Sequence, residues 1–215
     1  MHRRQFLRSV PLAAAALSGA GLARAAENLP LGEPHMKRFD EQRWVLDNII
    51  QANGVDWNQG HTSVLLRACG LDVQGDMAGL RQRVRKYADI VPAFEALARR
   101  REANAIEFEK NEEMIPARDN YYIAAAYWAT GMWGIEEHGP RLRGNNDKKR
   151  ENFSKYMRLA DHRIEWVEIP YRGRTLPAVF HLPPGYQTGQ KVAAIVGVPG
   201  MDGFTLCSEL RRLSN

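Results

Sequence analysis

The stretch Lys191–Phe204, KVAAIVGVPGMDGF, carries the clearest chemical signal in the sequence. A short apolar run, Val192–Val198, is followed by Pro199 and Gly200, two residues that favour a sharp turn. A strand and turn of this kind can present backbone N–H groups to an active site, where they stabilise negative charge developing on a carbonyl oxygen. The alternative interpretation is an ordinary strand-to-helix turn that binds no ligand.

The side chains needed for nucleophilic catalysis do not form a matching pattern. None of the six serines lies in a Gly-x-Ser-x-Gly turn, which exposes the nucleophile in one large class of hydrolases. We interpret the five histidines after the first 25 residues as surface or hydrogen-bonded polar positions; they are His35, His61, His138, His162 and His181. No spacing of cysteines or histidines predicts a metal site, and no cofactor is expected.

The first 25 residues have the composition of an export signal. Arg3 and Arg4 begin a twin-arginine pattern, Val10–Leu22 is apolar, and Ala23 and Ala25 are small residues suited to a signal peptidase. The apolar run is too short for a stable membrane span. An amphipathic first helix of a cytosolic domain is the alternative. The order of the features favours export of a folded protein to the periplasm or beyond, with no membrane partner after cleavage.

Charge and length restrict the function further. Without the four arginines of residues 1–25, the 30 basic residues fall to 26, against 25 acidic residues. The net charge of +5 therefore comes mostly from the signal and gives no support for nucleic-acid binding. The remaining 190 residues are enough for one domain with a core. A disulfide between Cys69 and Cys207 is possible in an oxidising compartment, but two cysteines alone form no spacing pattern that predicts one.

Apolar residues recur at helical spacing through residues 36–162, after a leader at residues 26–35. The helices predicted within this block are Met36–Asn53, Met77–Tyr87 with Asp76 as N-cap, a helix from Asp89 to Lys110, Pro116–Gly134, and Asp147–Ala160 after a loop at Glu136–Asn146. Tyr121, Tyr122 and Trp128 lie on the most apolar of these helices. They are candidates for lining a substrate pocket, and the alternative is that they belong to the core.

After residue 162 the apolar period changes to two. Strands are predicted at Arg163–Pro170 and Thr175–Leu182 around a turn at Tyr171–Arg174. Lys191–Val198 is apolar on both faces, as in an interior strand of a covered sheet, and Phe204–Leu213 resembles the start of a helix. The predicted fold class is therefore α/β, with a helical block followed by the first strands of a sheet.

Three segments together resemble one branch of the α/β-hydrolase superfamily: NYYIAAAYW from Asn120, VEIPYRGRTLPAVFHLPP from Val167, and VGVPGMDGF from Val196. That branch includes 2,6-dihydroxypseudooxynicotine hydrolase and esterases related to the fermentation–respiration switch protein. The resemblance covers most of residues 75–206. It implies a helical cap domain over residues 36–162 and an incomplete α/β-hydrolase domain over residues 163–215.

The resemblance also implies a role for the glycine-rich turn. In this fold one oxyanion donor comes from the loop after the third strand, which corresponds to the N–H of Met201 or, second, of Asp202, with Gly200 shaping the loop. The implied substrate is a small-molecule ester, or a ketone with an activated C–C bond next to its carbonyl. The nucleophile elbow, acid and late histidine of the family have no counterpart in the 215 residues. We therefore expect the front part of a longer hydrolase, inactive by itself.

A non-catalytic interpretation remains. In it, residues 36–162 form a periplasmic binding or dimerisation module, and the β segment is an appendage. A homodimer would then form through the helical block.

Overall fold

The computed structural model describes residues 36–55, 69–135 and 137–197, and these are mostly helical. The chain divides into two compact units between Glu41 and Gln42, and the described residues from Gln42 onward belong to the second unit. The elements in chain order are α1 (Met36–Asn53), a 3₁₀ turn (Gly70–Val73), α2 (Gln74–Arg83), a second 3₁₀ turn (Tyr87–Asp89), α3 (Ile90–Lys110), α4 (Met114–Met132), α5 (Pro140–Leu159), β1 (Ile164–Tyr171) and β2 (Arg174–His181).

Helix α1 has the bounds that the sequence predicts. Gly54 ends it with a φ of +76°, a conformation that costs glycine little, and donates its N–H to the carbonyl of Ile50 at 2.8 Å. Ile50 is buried in the core. The local pattern is therefore sufficient to define this helix and its end.

Of the two predicted N-caps, Asp76 is wrong, and Asp89 holds the N-cap position without a side-chain capping bond. Helix α2 begins at Gln74, and Asp76 is buried within its first turn instead of capping it. Asp89 does stand at the N-cap position of α3, but its side chain makes no capping bond there. Its Oδ2 accepts the backbone N–H groups of Arg85 and Lys86 at 3.0 and 3.1 Å, closing the preceding turn. Both carboxylates are occupied by partners other than the first turn of the predicted helix.

Helix α4 is the centre of the helical unit. Most of its residues are buried, and it packs against α3 on one side and α5 on the other. Gly131 and Gly134 lie at the contact with α3. A Cβ added at Gly134 would lie 2.6 Å from Cγ2 of Val91, and one at Gly131 would lie 3.3 Å from Cβ of Phe94. These glycines therefore allow the close approach. Within the described ranges, no helix combines the length and apolarity needed to cross a membrane.

Helix α5 starts at Pro140, so the predicted loop at Glu136–Asn146 is wrong over most of its length. Proline is well placed at the first helical position because it lacks the N–H that would be unpaired there. Nε of Arg141 and Nδ2 of Asn145 bond Oε1 of Glu95 on α3, at 2.8 and 3.0 Å. These contacts hold the polar first turns of α5 in helical form.

Three acidic residues on α3 are spaced seven apart and face basic residues on α5. The pairs are Glu95 with Arg141, Glu102 with Lys148 at 3.0 Å, and Glu109 with Arg158. Residue numbers rise together on both helices, so α3 and α5 run parallel, with α4 antiparallel to both. Seven residues are two helical turns, which places the three acidic residues on one face of α3.

Strands β1 and β2 form the predicted antiparallel hairpin, which pairs Ile164 with His181 and Tyr171 with Arg174. The turn residues Arg172 and Gly173 have φ values of +46° and +74°. Positive φ at both central residues is the condition for the type I′ turn that suits the twist of a hairpin.

One face of the hairpin packs on the helices. Trp166 lies edge-on to Phe153 of α5, with ring centroids 5.9 Å apart, and the Arg150 guanidinium lies 5.6 Å from its ring centre. Val179, opposite Trp166, packs against the core, and Ile164 is buried. The other face is largely exposed and mostly apolar; by register it carries Val167, Ile169, Tyr171, Leu176, Ala178 and Phe180, with the charged residues Glu165 and Arg174 at its two ends.

The predicted interior strand at Lys191–Val198 is not found over its described part. Residues 191–197 have no strand structure, and Ile195 and Val196 are 72% and 87% exposed. A strand requires a hydrogen-bonded neighbour, and the sheet described here contains only β1 and β2. Apolar composition alone does not provide that neighbour.

The Asp76 carboxylate joins three helices in the interior. Oδ2 accepts Nε of Arg101 at 2.7 Å and the hydroxyl of Tyr127 at 2.9 Å, and Oδ1 accepts from Arg100. Arg101 also donates to Oδ1 of Asn120 on α4 at 3.1 Å. Burial, followed by the nearby Asp76 charge, raises the pKa of Tyr127, so its hydroxyl remains a donor.

Replacing Asp76 tests whether its carboxylate holds these helices together. Asp76→Ala leaves the partly buried Arg101 guanidinium without its carboxylate, so the free energy of unfolding should fall by about 3 kcal/mol. The matched control is Asp72→Ala, because Asp72 is exposed and bonds Arg101 only through its backbone carbonyl. The control should stay within about 0.5 kcal/mol of wild type in urea unfolding. Equal stability of the two variants would contradict the assignment.

Candidate functional site

The residues predicted to donate to an oxyanion, Met201 and Asp202, and the shaping residue Gly200 lie outside the described residues. Their role remains a prediction. Cys207 lies there as well, so the question of a disulfide with the buried Cys69 stays open. The chemistry that can be described is therefore carried by the helical unit and the hairpin.

The three aromatic candidates for a substrate pocket are buried in the helical core. The rings of Tyr122 and Tyr156 lie 5.0 Å apart at the contact between α4 and α5. The Arg99 guanidinium lies 5.7 Å from the ring centre of Trp128, whose Nε1 has no hydrogen-bond partner among the described residues. These positions agree with the core interpretation, and the predicted substrate contact remains to be tested.

Tyr121 has a polar end within this packing. Its hydroxyl donates to Oε2 of Glu109 at 2.7 Å, and the Lys155 ammonium lies 5.3 Å from its ring centre. Burial and the bond to Glu109 raise the pKa of Tyr121, which keeps the hydroxyl protonated. The bond from Arg158 and then that from Tyr121 lower the pKa of Glu109. The Tyr121 hydroxyl of α4 is therefore a second donor to Glu109, which also pairs with Arg158 of α5.

A different group of residues meets where the helices join the hairpin. We call Arg118, Asp161, His162 and His181 the histidine junction. Nη1 of Arg118 lies 3.2 Å from Oδ2 of Asp161, whose Oδ1 lies 2.9 Å from Nδ1 of His162. Nε2 of His162 lies 2.9 Å from Nδ1 of His181. The result is a continuous hydrogen-bonded chain from α4 to the end of β2.

The sequence predicts surface or hydrogen-bonded polar positions for these two histidines. The second description applies to His162, whose side chain is only 3% exposed and has both ring nitrogens bonded. The hairpin register offers a signal that was missed. Pairing of Ile164 with His181 brings the residues just before β1 close to the end of β2.

A cavity of about 230 Å³ adjoins the junction. Its walls are the backbone and side chains of residues 160–163 and 183–186. None of Tyr121, Tyr122 and Trp128 lines it. It is smaller than most ligand pockets, which measure roughly 300–1,000 Å³. Because both nitrogens of His162 are engaged, that ring cannot act as a base towards the cavity without first breaking a bond.

The described residues contain no group of three histidine, cysteine or acidic side chains that could hold a metal ion. No protein-family model matches the chain, and no curated protein matches it significantly. Function is therefore inferred from the residues themselves.

Two substitutions at Tyr121 separate a core role from a pocket role. Tyr121→Phe removes only the hydroxyl, so unfolding should become easier by about 1 kcal/mol. Tyr121→Ala leaves a cavity and should cost about 3–5 kcal/mol. Chemical denaturation followed by circular dichroism measures both. If Tyr121→Ala is as stable as wild type, the side chain is not part of the core.

Proposed function

We propose that this chain supplies the helical cap and the first strands of an exported serine hydrolase of the α/β-hydrolase type. The substrate would be a small-molecule ester, or a ketone with an activated C–C bond next to its carbonyl. The hydrolase domain begins at the hairpin in this proposal, and the cap is the helical block. The twin-arginine pattern of the first residues supports export to the periplasm or beyond.

The observation that carries the proposal is the second apolar face of the hairpin. Ile169, Leu176 and Phe180 on that face are 48%, 49% and 47% exposed, while on the opposite face Trp166, itself 38% exposed, contacts Phe153 of α5. Sheets covered on both sides have strands that are apolar on both faces. The apolar residues on the outer face therefore favour a hairpin that belongs to a larger, covered sheet.

The exposed run before the predicted oxyanion loop supports the same proposal. Val192, Ile195 and Val196 are each exposed, although an apolar run of this kind normally lies within a sheet. Addition of further strands would bury these residues and bring the loop that follows to a sheet edge. Backbone donors in such a loop would serve an oxyanion in acyl transfer.

The proposal assigns the nucleophile, acid and histidine of catalysis to sequence encoded after Asn215. DNA following codon 215 in the source genome tests this assignment. A Gly-x-Ser-x-Gly elbow followed by an acid and a histidine, in any frame, would support it. Downstream DNA without hydrolase sequence in any frame would contradict it.

The purified chain should not hydrolyse p-nitrophenyl esters, because no serine in it lies in a nucleophile elbow. Release of p-nitrophenol should equal that of a heat-denatured sample of the same protein. Labelling with a fluorophosphonate probe, which reacts with activated serines, should also be absent. Turnover that such an inhibitor abolishes would show that the chain holds its own nucleophile.

Charged residues on the exposed hairpin face should reduce self-association. Ile169 and Leu176 lie opposite each other, so Ile169→Lys with Leu176→Glu places a cross-strand ion pair on this face. The double variant should bind less of the apolar dye ANS and sediment as a smaller species. Stability should change by less than about 1 kcal/mol, because both side chains are half exposed.

Thr175→Lys is the matched control, since Thr175 is exposed but lies on the opposite face. The control should bind dye and self-associate as wild type does. If wild type and double variant bind the same amount of dye, the exposed face does not act as an uncovered apolar surface.

The alternative function is a non-catalytic binding or dimerisation module. Its supporting observation is that the buried core lies almost wholly within the helices, with Ile164 as its buried hairpin member and Val179 packed against it. A dimer formed through the helical block would persist in the Ile169→Lys/Leu176→Glu variant. Sedimentation of that variant therefore separates the two functions.

A further inference from the structure

The base of the hairpin is held by two imidazoles that share a hydrogen bond. His162 lies just before β1, and His181 is the last residue of β2. Their rings are stacked, with centroids 5.2 Å apart and planes 28° from parallel. The 2.9 Å between Nε2 of His162 and Nδ1 of His181 is the length of one N–H···N bond. Only one hydrogen fits between these nitrogens.

Asp161 determines which nitrogens carry hydrogens. The bond from His162, and to a lesser extent the Arg118 charge, lower the pKa of Asp161 despite partial burial. An ionised carboxylate only accepts, so Nδ1 of His162 carries the hydrogen between them. In neutral His162, Nε2 is then an acceptor, and it receives the Nδ1–H of His181. The arrangement is complete when both rings are neutral.

A pair of this kind cannot hold two extra protons. One proton added to the pair leaves a single hydrogen between the rings, but a second would place N–H groups on both facing nitrogens. The two cations would then repel each other across 2.9 Å. Burial, with the His162 charge as the second cause, lowers the pKa of His181 to about 4.

The other charged groups around the junction already have partners. Arg118 on α4 pairs with Asp119 as well as with Asp161, and Arg163 pairs with Glu165 on β1. Two phenols, which carry no charge in acid, also lie near the junction: Tyr156 of α5, close to Arg118, and Tyr186 after β2, which lines the cavity with His162. Repulsion between the two imidazoles is therefore the main change expected in mild acid.

We propose that the His162–His181 pair is a proton-sensitive latch, which frees the end of β2 from the segment just before β1 in mildly acidic solution. Release breaks the bond between the rings and loosens the Leu182 N–H bond to the carbonyl of Arg163, which is 2.9 Å long in the closed form. Contacts of Trp166 with Phe153 and Arg150 lie further along the hairpin and contain no group that titrates in this range. The latch does not depend on the proposed hydrolase function.

The direction of the pH effect follows from proton uptake. His181 binds a proton more weakly in the closed form, with a value of about 4 against about 6.5 in the open chain. The open form therefore holds more protons between these values, and closure weakens as the pH falls through this window. Above it the latch is fully closed.

Hydrogen exchange of the full chain, followed by mass spectrometry, measures the opening directly. After correction for intrinsic exchange, the opening constant of amides in residues 164–181 should rise on the order of tenfold from pH 7 to pH 5. His181→Gln can still donate to His162 but does not titrate, so its hairpin should open equally at both pH values. The matched control His138→Gln changes an exposed histidine and should keep the wild-type dependence.

Equal opening of the wild-type hairpin at pH 7 and pH 5 would overturn the latch, as would an unchanged pH dependence in His181→Gln. If that variant does not fold, the wild-type protein still decides by NMR titration of its histidine rings. The His181 signals should titrate at least one pH unit below the histidines of the urea-unfolded chain. Titration at the same pH as the unfolded chain would contradict the proposal.

Discussion

A single buried carboxylate, that of Asp76, joins the helices on which the rest of the structure is assembled. An ionised carboxylate in the interior is costly unless its oxygens are bonded, and here Arg100, Arg101 and Tyr127 satisfy them. The partners come from α3 and α4, so the charge is stable only when α2, α3 and α4 are assembled together. Helix α4 then provides the surface against which α5 packs, and α5 in turn supports the hairpin.

The alignment of α5 depends on polar contacts as well as apolar packing. Acidic residues at intervals of seven on α3 face basic residues on α5, and their number and order distinguish the observed alignment from a shifted one. Partly exposed pairs contribute little individually to stability. These pairs fix the register of α5 against α3. A shift of α5 by one turn would leave Glu95 and Glu102, both buried, without their hydrogen-bond donors on α5. The C-terminal end of α5, and with it Asp161 and His162, is positioned by this register.

The hairpin connects the helical unit to the proposed chemistry. Its inner face is held by Trp166 and by the histidine junction, while its outer face and the run up to Gly197 present apolar side chains to solvent. A hydrolase sheet built on this hairpin would inherit the position that α5 and the junction impose. Protonation of the junction would then loosen the base of the hairpin on which that sheet is built.

Local patterns in the sequence were enough to predict α1, the approximate spans of α3 and α4, the C-terminal part of α5, and the hairpin with its Arg172–Gly173 turn. These features depend on residues only a few positions apart. Tertiary structure decided the rest: Asp76 became a buried acceptor for Tyr127, 51 residues away, and Arg141 extended α5 by bonding Glu95, 46 residues away. The apolar residues of Lys191–Val198 likewise favour burial, but a strand forms only when another backbone supplies its hydrogen bonds. Sequence spacing determines which face a residue occupies, whereas partners so far apart along the chain are defined only once the helices have packed.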